Sequence, residues 1–158
     1  IAIRYPRGSA HQGLREYQAP VEYGRSEIIR KGKKIAVLGV GSMIPSCMEI
    51  CKGLKDDGYD PTFVNARFVK PLDVDLLDEL AKDHSLFVTV EENVKSGGYG
   101  EHVSAYMEAC HPEIRVLSAA VWDRFVSQGN VESLRSRIGL GVEDIRQAIE
   151  DSEELREQ

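Results

Sequence analysis

Along most of the chain, apolar and polar positions alternate in short blocks that switch between the period of a strand and that of a helix. Ser26–Lys34 reads as a short strand followed by a Lys-Gly-Lys turn, and Ile35–Val40 as a buried strand. Pro45 suits the first turn of the next helix, where a missing N–H costs nothing. Cys47, Ile50, Cys51 and Leu54 give that helix one apolar face, and Gly58 ends it. Thr62–Asn65 reads as a second core strand. Asp73 then caps a helix with an apolar stripe of Val74, Leu77, Leu80 and Ala81.

Leu86–Val90 is apolar apart from one threonine, the pattern of a strand covered on both faces. A glycine-rich loop leads into a helix with Val103, Tyr106, Met107 and Cys110 on one side, and a further strand is expected around Ile114–Ala119. Val131, Leu134 and Ile138 define a short helix between Asn130 and Gly139. Val142, Ile145 and Ile149 define the last helix, with Glu143 and Asp144 placed favourably against its dipole. Strands alternating with helices at this spacing predict an α/β fold: a three-layer α/β/α sandwich with a mostly parallel sheet of about five strands. Residues 1–25 lack any sustained apolar period and read as an extended segment, 26–150 as the folded domain, and 151–158 as an acidic, frayed tail.

Composition narrows the classes without choosing among them. Apolar content of 42% and charged content of 29% are those of an ordinary globular domain. A formal net charge of −6 without a basic face argues against nucleic-acid binding, and the apolar runs are too short to cross a bilayer. Three cysteines fit a reducing cytoplasm better than a disulfide framework. The chain starts on "IAIRYPRG" rather than Met, as expected for a piece of a longer protein opening within a strand.

Several motifs invite a chemical reading. Gly39–Ser42 ("GVGS") follows a strand and precedes a helix, but it lacks the third glycine of a dinucleotide fingerprint and reads as a tight turn. Glu91 and Glu92 end the third core strand; neighbours on a strand face opposite ways, so one is expected to make a structural contact and the other to meet solvent. Ser96–His102 ("SGGYGEH") could hold an anion on its N–H groups or allow close packing of a helix. Cys47 and Cys51 share a helix face as small buried side chains, with no paired histidines to complete a zinc site. His84 is expected to sit at a helix end and His111 in a surface turn. In "IAIRYPRGSA", alternation puts Ile1, Ile3 and Tyr5 on one face. Arg7, between Pro6 and Gly8, is held on a short turn and suits bidentate recognition of a phosphate monoester.

"RYPRG" (Arg4–Gly8), "KIAVLGVGSM", "ARFVKPLD" (Ala66–Asp73), "VTVEENVKSGGYGEHV" (Val88–Val103) and "SQGNVESLRSRIGL" (Ser127–Leu140) together resemble the deoxyxylulose-phosphate synthases, in register from Ile1 to about Ile149. The resemblance implies a transketolase-type C-terminal domain at 26–150, preceded at 1–25 by the end of a thiamin-pyrimidine-binding domain and a linker. It implies a homodimeric cytoplasmic transferase that uses thiamin diphosphate and Mg2+, decarboxylates pyruvate and joins the two-carbon unit to D-glyceraldehyde 3-phosphate, feeding isoprenoid, thiamin and pyridoxal synthesis. In that family the arginine matching Arg7 binds the aldehyde's phosphate. The family's Gly-Asp-Gly cofactor motif and activating glutamate have no match here, so no catalytic, cofactor or metal residue is expected in this chain, and the piece alone is expected to be inactive. "VWDRFVSQG" (Val121–Gly129) departs from the common family pattern, which bears on the shape of that loop. Gly97–Met107 is the expected subunit contact. A free-standing nucleotide-binding or regulatory module and a 2-oxo acid dehydrogenase beta subunit are the alternatives.

Overall fold

A computed structural model describes residues 1–5, 11–14, 16–17 and 19–154. Five strands form one sheet: β1 (Glu27–Arg30), β2 (Lys34–Gly39), β3 (Thr62–Asn65), β4 (His84–Val94) and β5 (Arg115–Val121), in the order β1-β3-β2-β4-β5. β3, β2, β4 and β5 run parallel, and β1 closes one edge antiparallel to β3. The expected three-layer sandwich follows from the pleat. Ile35 and Val37 of β2, with Leu86, Val88 and Val90 of β4, meet α1 (Ile44–Asp56) and α5 (Val142–Glu154) on one face. Ala36, Leu38 and Phe87 meet α2 (Val74–Ala81) and α3 (Tyr99–Cys110) on the other. Both faces being covered is why these strands carry apolar runs, broken in β4 only by the buried Thr89.

The helix faces also follow the sequence. Cys47, Ile50, Cys51 and Leu54 of α1 are buried, and Ile145 and Ile149 of α5 lie in the same core. Asp73 caps α2 through Leu76 N–H and also accepts from Ser26 N–H at 2.7 Å and Arg25 Nη1 at 2.9 Å, which ties the entry of β1 to α2. Among the described residues, no helix is long and apolar enough to cross a membrane.

Five local expectations change. Among the described residues Ile1–Tyr5 forms no strand, and Ile1, Ile3 and Tyr5 are exposed. β4 extends from His84 to Val94, well beyond Leu86–Val90. Cys110 is exposed with Glu108 and Ala109, since the last turn of α3 projects past the core. α4 (Val131–Arg137) buries none of its residues, and Val131 is 54% exposed despite its amphipathic pattern. α5 continues through Glu154, with Ser152 buried and its hydroxyl donating to Ala148 O, so the helix passes the expected point of fraying.

Thiol chemistry gives a direct check of this core. Burial pushes the Cys47 thiol up, with the neighbouring Cys51 adding to it; burial also raises Cys51, to about 12. Iodoacetamide on the native protein is expected to label Cys110 and spare Cys47 and Cys51, all three reacting after denaturation. Peptide mass mapping that found Cys47 alkylated in the native state would contradict the packing of α1.

Candidate functional site

β2 leads through α1 to β3 on one side, whereas β4 leads through α3 to β5 on the other. The sheet therefore has a topological switch point between β2 and β4, and in open α/β folds ligands enter at the carboxyl ends of the strands there. Here the chain fills that crevice itself. Glu92, at the end of β4, accepts a bidentate pair from Arg135 of α4, Nε to Oε1 at 3.1 Å and Nη2 to Oε2 at 3.2 Å. Ser42, in the 3-10 turn Gly41–Met43 after β2, donates to Oε2 at 2.7 Å. Arg4 of the N-terminal segment donates to the Glu92 carbonyl at 2.9 Å. Burial works to raise the Glu92 carboxyl pKa, but the hydrogen bonds from Arg135 and Ser42, with the charges of Arg135 and Arg4, outweigh it and hold the group below the ordinary glutamate range.

Glu91 points the opposite way, as strand alternation requires, and is 1% exposed. Its two oxygens accept the N–H groups of Tyr99 at 2.9 Å and Gly100 at 2.8 Å, at the first turn of α3. The anion position at this helix start is thus occupied by a carboxylate of the chain itself. Close packing is present as well: a β-carbon on Gly100 would stand 2.2 Å from Ser118 Oγ and 2.4 Å from Thr89 Oγ1, so the glycine lets α3 lie against β4 and β5. Both readings of the glycine-rich loop hold together, and neither leaves room there for a nucleotide phosphate.

The sequence candidates scatter. Arg7, with Pro6 and Gly8, lies outside the described residues. Glu91 and Glu92 both make structural contacts, so the expectation that one of them simply faces solvent is corrected by Arg135 and Ser42. Gly39–Ser42 is the tight turn anticipated. His84 is buried at the start of β4 and contacts Leu80 O in the last turn of α2, while His102 is exposed. His111 reaches Asp78, whose Oδ1 also accepts from Tyr106, each at 2.8 Å; His111 and then Tyr106 hold the Asp78 carboxyl below its usual range. Tyr99, Val103 and Met107 of the expected subunit contact are buried in the chain's own core. Among the described residues, no group of three His, Cys, Asp or Glu is placed to hold a metal ion. Sequence reasoning missed Arg135 and Ser42. Nothing in a one-dimensional pattern pairs them with Glu92, although a carboxylate at a strand end of this fold is a place to look for a cation.

Residues 24–145 match the family model described as transketolase, C-terminal domain. The chain is 40% identical over 92% of its length to a 1-deoxy-D-xylulose-5-phosphate synthase of Lachnoclostridium phytofermentans, and 39% identical over 92% to that of Chlorobaculum tepidum. It is 40% identical over 94% of its length to the Dictyoglomus thermophilum enzyme of the same name. It spans 23%, 23% and 24% of these curated relatives, about a quarter of their length. Among solved structures, a split-gene transketolase described as an inactive beta4 tetramer superposes with a TM-score of 0.78 at 28% identity, covering 84% of this chain and 43% of that one. Transketolase from Campylobacter jejuni superposes with a TM-score of 0.56 at 18% identity, covering 81% of this chain and 18% of that one, a likeness of fold alone.

Proposed function

The chain belongs to the transketolase C-terminal domain family, and from that premise we propose that it is the C-terminal part of a 1-deoxy-D-xylulose-5-phosphate synthase. The observation that carries this reading is the reach of the likeness: 146 residues align with the Lachnoclostridium enzyme, more than the stretch from Gly24 to the C-terminus contains. The match therefore includes residues ahead of Gly24, where the family model begins. In this reading the longer cytoplasmic protein is a homodimer. It holds thiamin diphosphate and Mg2+ outside the present residues, and the cofactor supplies the carbanion that joins the two-carbon unit of pyruvate to D-glyceraldehyde 3-phosphate. The domain's own part is architectural. Its switch-point crevice is filled by Glu92, Arg135 and Ser42, and its helix-start anion position by Glu91.

Arg7 is the residue assigned a substrate contact, binding the phosphate of the aldehyde as a planar guanidinium can. The full-length protein, supplied with thiamin diphosphate, Mg2+, pyruvate and D-glyceraldehyde 3-phosphate, is expected to release CO2 and form 1-deoxy-D-xylulose 5-phosphate; no turnover would overturn the proposal. In that enzyme Arg7→Ala is expected to raise KM for the aldehyde about tenfold to a hundredfold. That is the loss of a charged hydrogen bond worth roughly 1.5–3 kcal/mol, with KM for pyruvate unchanged. An unaltered aldehyde KM would remove Arg7 from the phosphate site.

A further inference from the structure

We infer that the connection from β3 to α2, residues 66–73 ("ARFVKPLD"), is a docking site for residues 19–26 of the same chain, with Arg67 as the positioning residue that holds the incoming backbone. The inference rests on the reading of that stretch as the linker from a preceding domain. Arg67 Nη2 donates to the Ala19 carbonyl at 3.3 Å and Nη1 to the Pro20 carbonyl at 3.4 Å, 48 and 47 positions away in sequence. Phe68 meets Tyr23 edge-on, with ring centroids 5.8 Å apart. Pro71 lies against Gly24, where a β-carbon would stand 3.0 Å from its Cγ and where φ is +72°. Asp73 then holds Arg25 and the Ser26 N–H. The motif thus follows the segment in order from residue 19 to the entry of β1. Ala19, Pro20 and Tyr23 lie ahead of Gly24, where the family model begins, so the contacts reach beyond the domain proper.

Arg67 is built for this contact. It stands in the left-handed region, at φ 52°, a conformation that non-glycine residues seldom adopt and that persists where the surroundings fix it. Its guanidinium pairs with Glu27, the first residue of β1, and both side chains are mostly buried, at 14% and 11% exposure. Glu27 therefore orients the planar fork, and the two Nη groups each reach one of two successive main-chain carbonyls. A fork that reads carbonyls fixes the course of the backbone whatever the side chains at 19 and 20. Tyr23 and Gly24 fix the register, since a residue larger than glycine at 24 would meet Pro71.

The test is limited proteolysis of the full-length protein with chymotrypsin, the cut bonds being identified by mass spectrometry. Cleavage after Tyr23 requires the residues on both sides of that bond to lift from the domain, so its rate tracks the population of the undocked segment. Cleavage after Phe87, buried in β4, reports unfolding of the domain. Arg67→Lys keeps a cation for Glu27 but loses the fork. It is expected to raise cleavage after Tyr23 about three- to tenfold, the loss of two long charged hydrogen bonds at a part-exposed site, with cleavage after Phe87 unchanged. Phe68→Ala, which removes the other side of the Tyr23 contact, is expected to raise it about two- to fivefold and decides the matter if Arg67→Lys does not fold. A folded Arg67→Lys with the wild-type rate after Tyr23, or with an equal rise after Phe87, would overturn the inference. The assay reads a peptide bond and not turnover, which separates the two failures. Expected cleavage without formation of 1-deoxy-D-xylulose 5-phosphate removes the activity and leaves the docking, and the reverse removes the docking alone.

Discussion

Glu91→Ala is expected to destabilise the domain by about 3–5 kcal/mol, lowering its urea midpoint by roughly 1–3 M. Glu91 is buried, and its only described partners are the N–H groups of Tyr99 and Gly100. Removing the carboxylate leaves both donors at the start of α3 without their acceptor, and a buried donor stranded in this way costs about 1–3 kcal/mol. A cavity between β4 and α3 adds to the loss. Glu91→Gln keeps one acceptor oxygen but brings an amide that finds no acceptor among those partners, so it is expected to lie between wild type and Glu91→Ala. Glu92→Ala is the control, because its pair with Arg135 is part-exposed and worth at most about 1 kcal/mol. Equal midpoints for Glu91→Ala and Glu92→Ala would show that Glu91 does not hold α3 to the sheet.

The contrast between these adjacent glutamates marks how far the sequence could be read. The layers were legible because burial on both sides leaves a direct trace: Ile35–Leu38 is apolar without interruption and Leu86–Val90 apart from Thr89, and the intervening helices keep one stripe each. Glu91 breaks that trace and looks like the start of a loop, yet β4 continues through it to Val94. Its partners are backbone groups eight and nine residues on, which have no side-chain signature beyond the glycine that permits the approach. The apolar pattern of α4 was equally visible, but a pattern names a face and not what covers it; Val131 of that helix and Phe125 in the loop before it remain exposed. Arg4 was legible as part of a motif, whereas its seat on Glu92 depends on a register shift that no local pattern announces.

Gly32→Ala is expected to be comparably damaging, at about 3–5 kcal/mol, although it adds one methyl group in an open-looking Lys-Gly-Lys turn. A β-carbon at Gly32 would lie 2.1 Å from the carbonyl oxygen of Asp60 and 2.6 Å from the carbonyl carbon of Pro61. Both are main-chain atoms, so no side-chain rotation relieves the contact and one of the two strand connections must move. That movement has buried consequences. Gly32 N–H donates to Thr62 Oγ1 at 2.9 Å, and Thr62 Oγ1 is 2.7 Å from His84 Nε2. His84 Nδ1 is in turn 2.7 Å from the carbonyl of Leu80, which can only accept. Nδ1 therefore carries a proton toward Leu80, and the relay runs from the β1–β2 turn through β3 to the end of α2 with each member in contact with the next. Displacing Gly32 withdraws the first donor from Thr62, a side chain with no access to water as a substitute. Two measurements check this together. The urea midpoint of Gly32→Ala should fall well below that of Lys31→Ala, an exposed neighbour in the same turn. The imidazole 15N shifts of His84, which are sensitive to the hydrogen bonds at both ring nitrogens, should change in any Gly32→Ala that remains folded. A variant with wild-type midpoint and unchanged His84 shifts would mean that the turn accommodates the methyl group without disturbing the relay, contrary to the approach of Asp60 and Pro61.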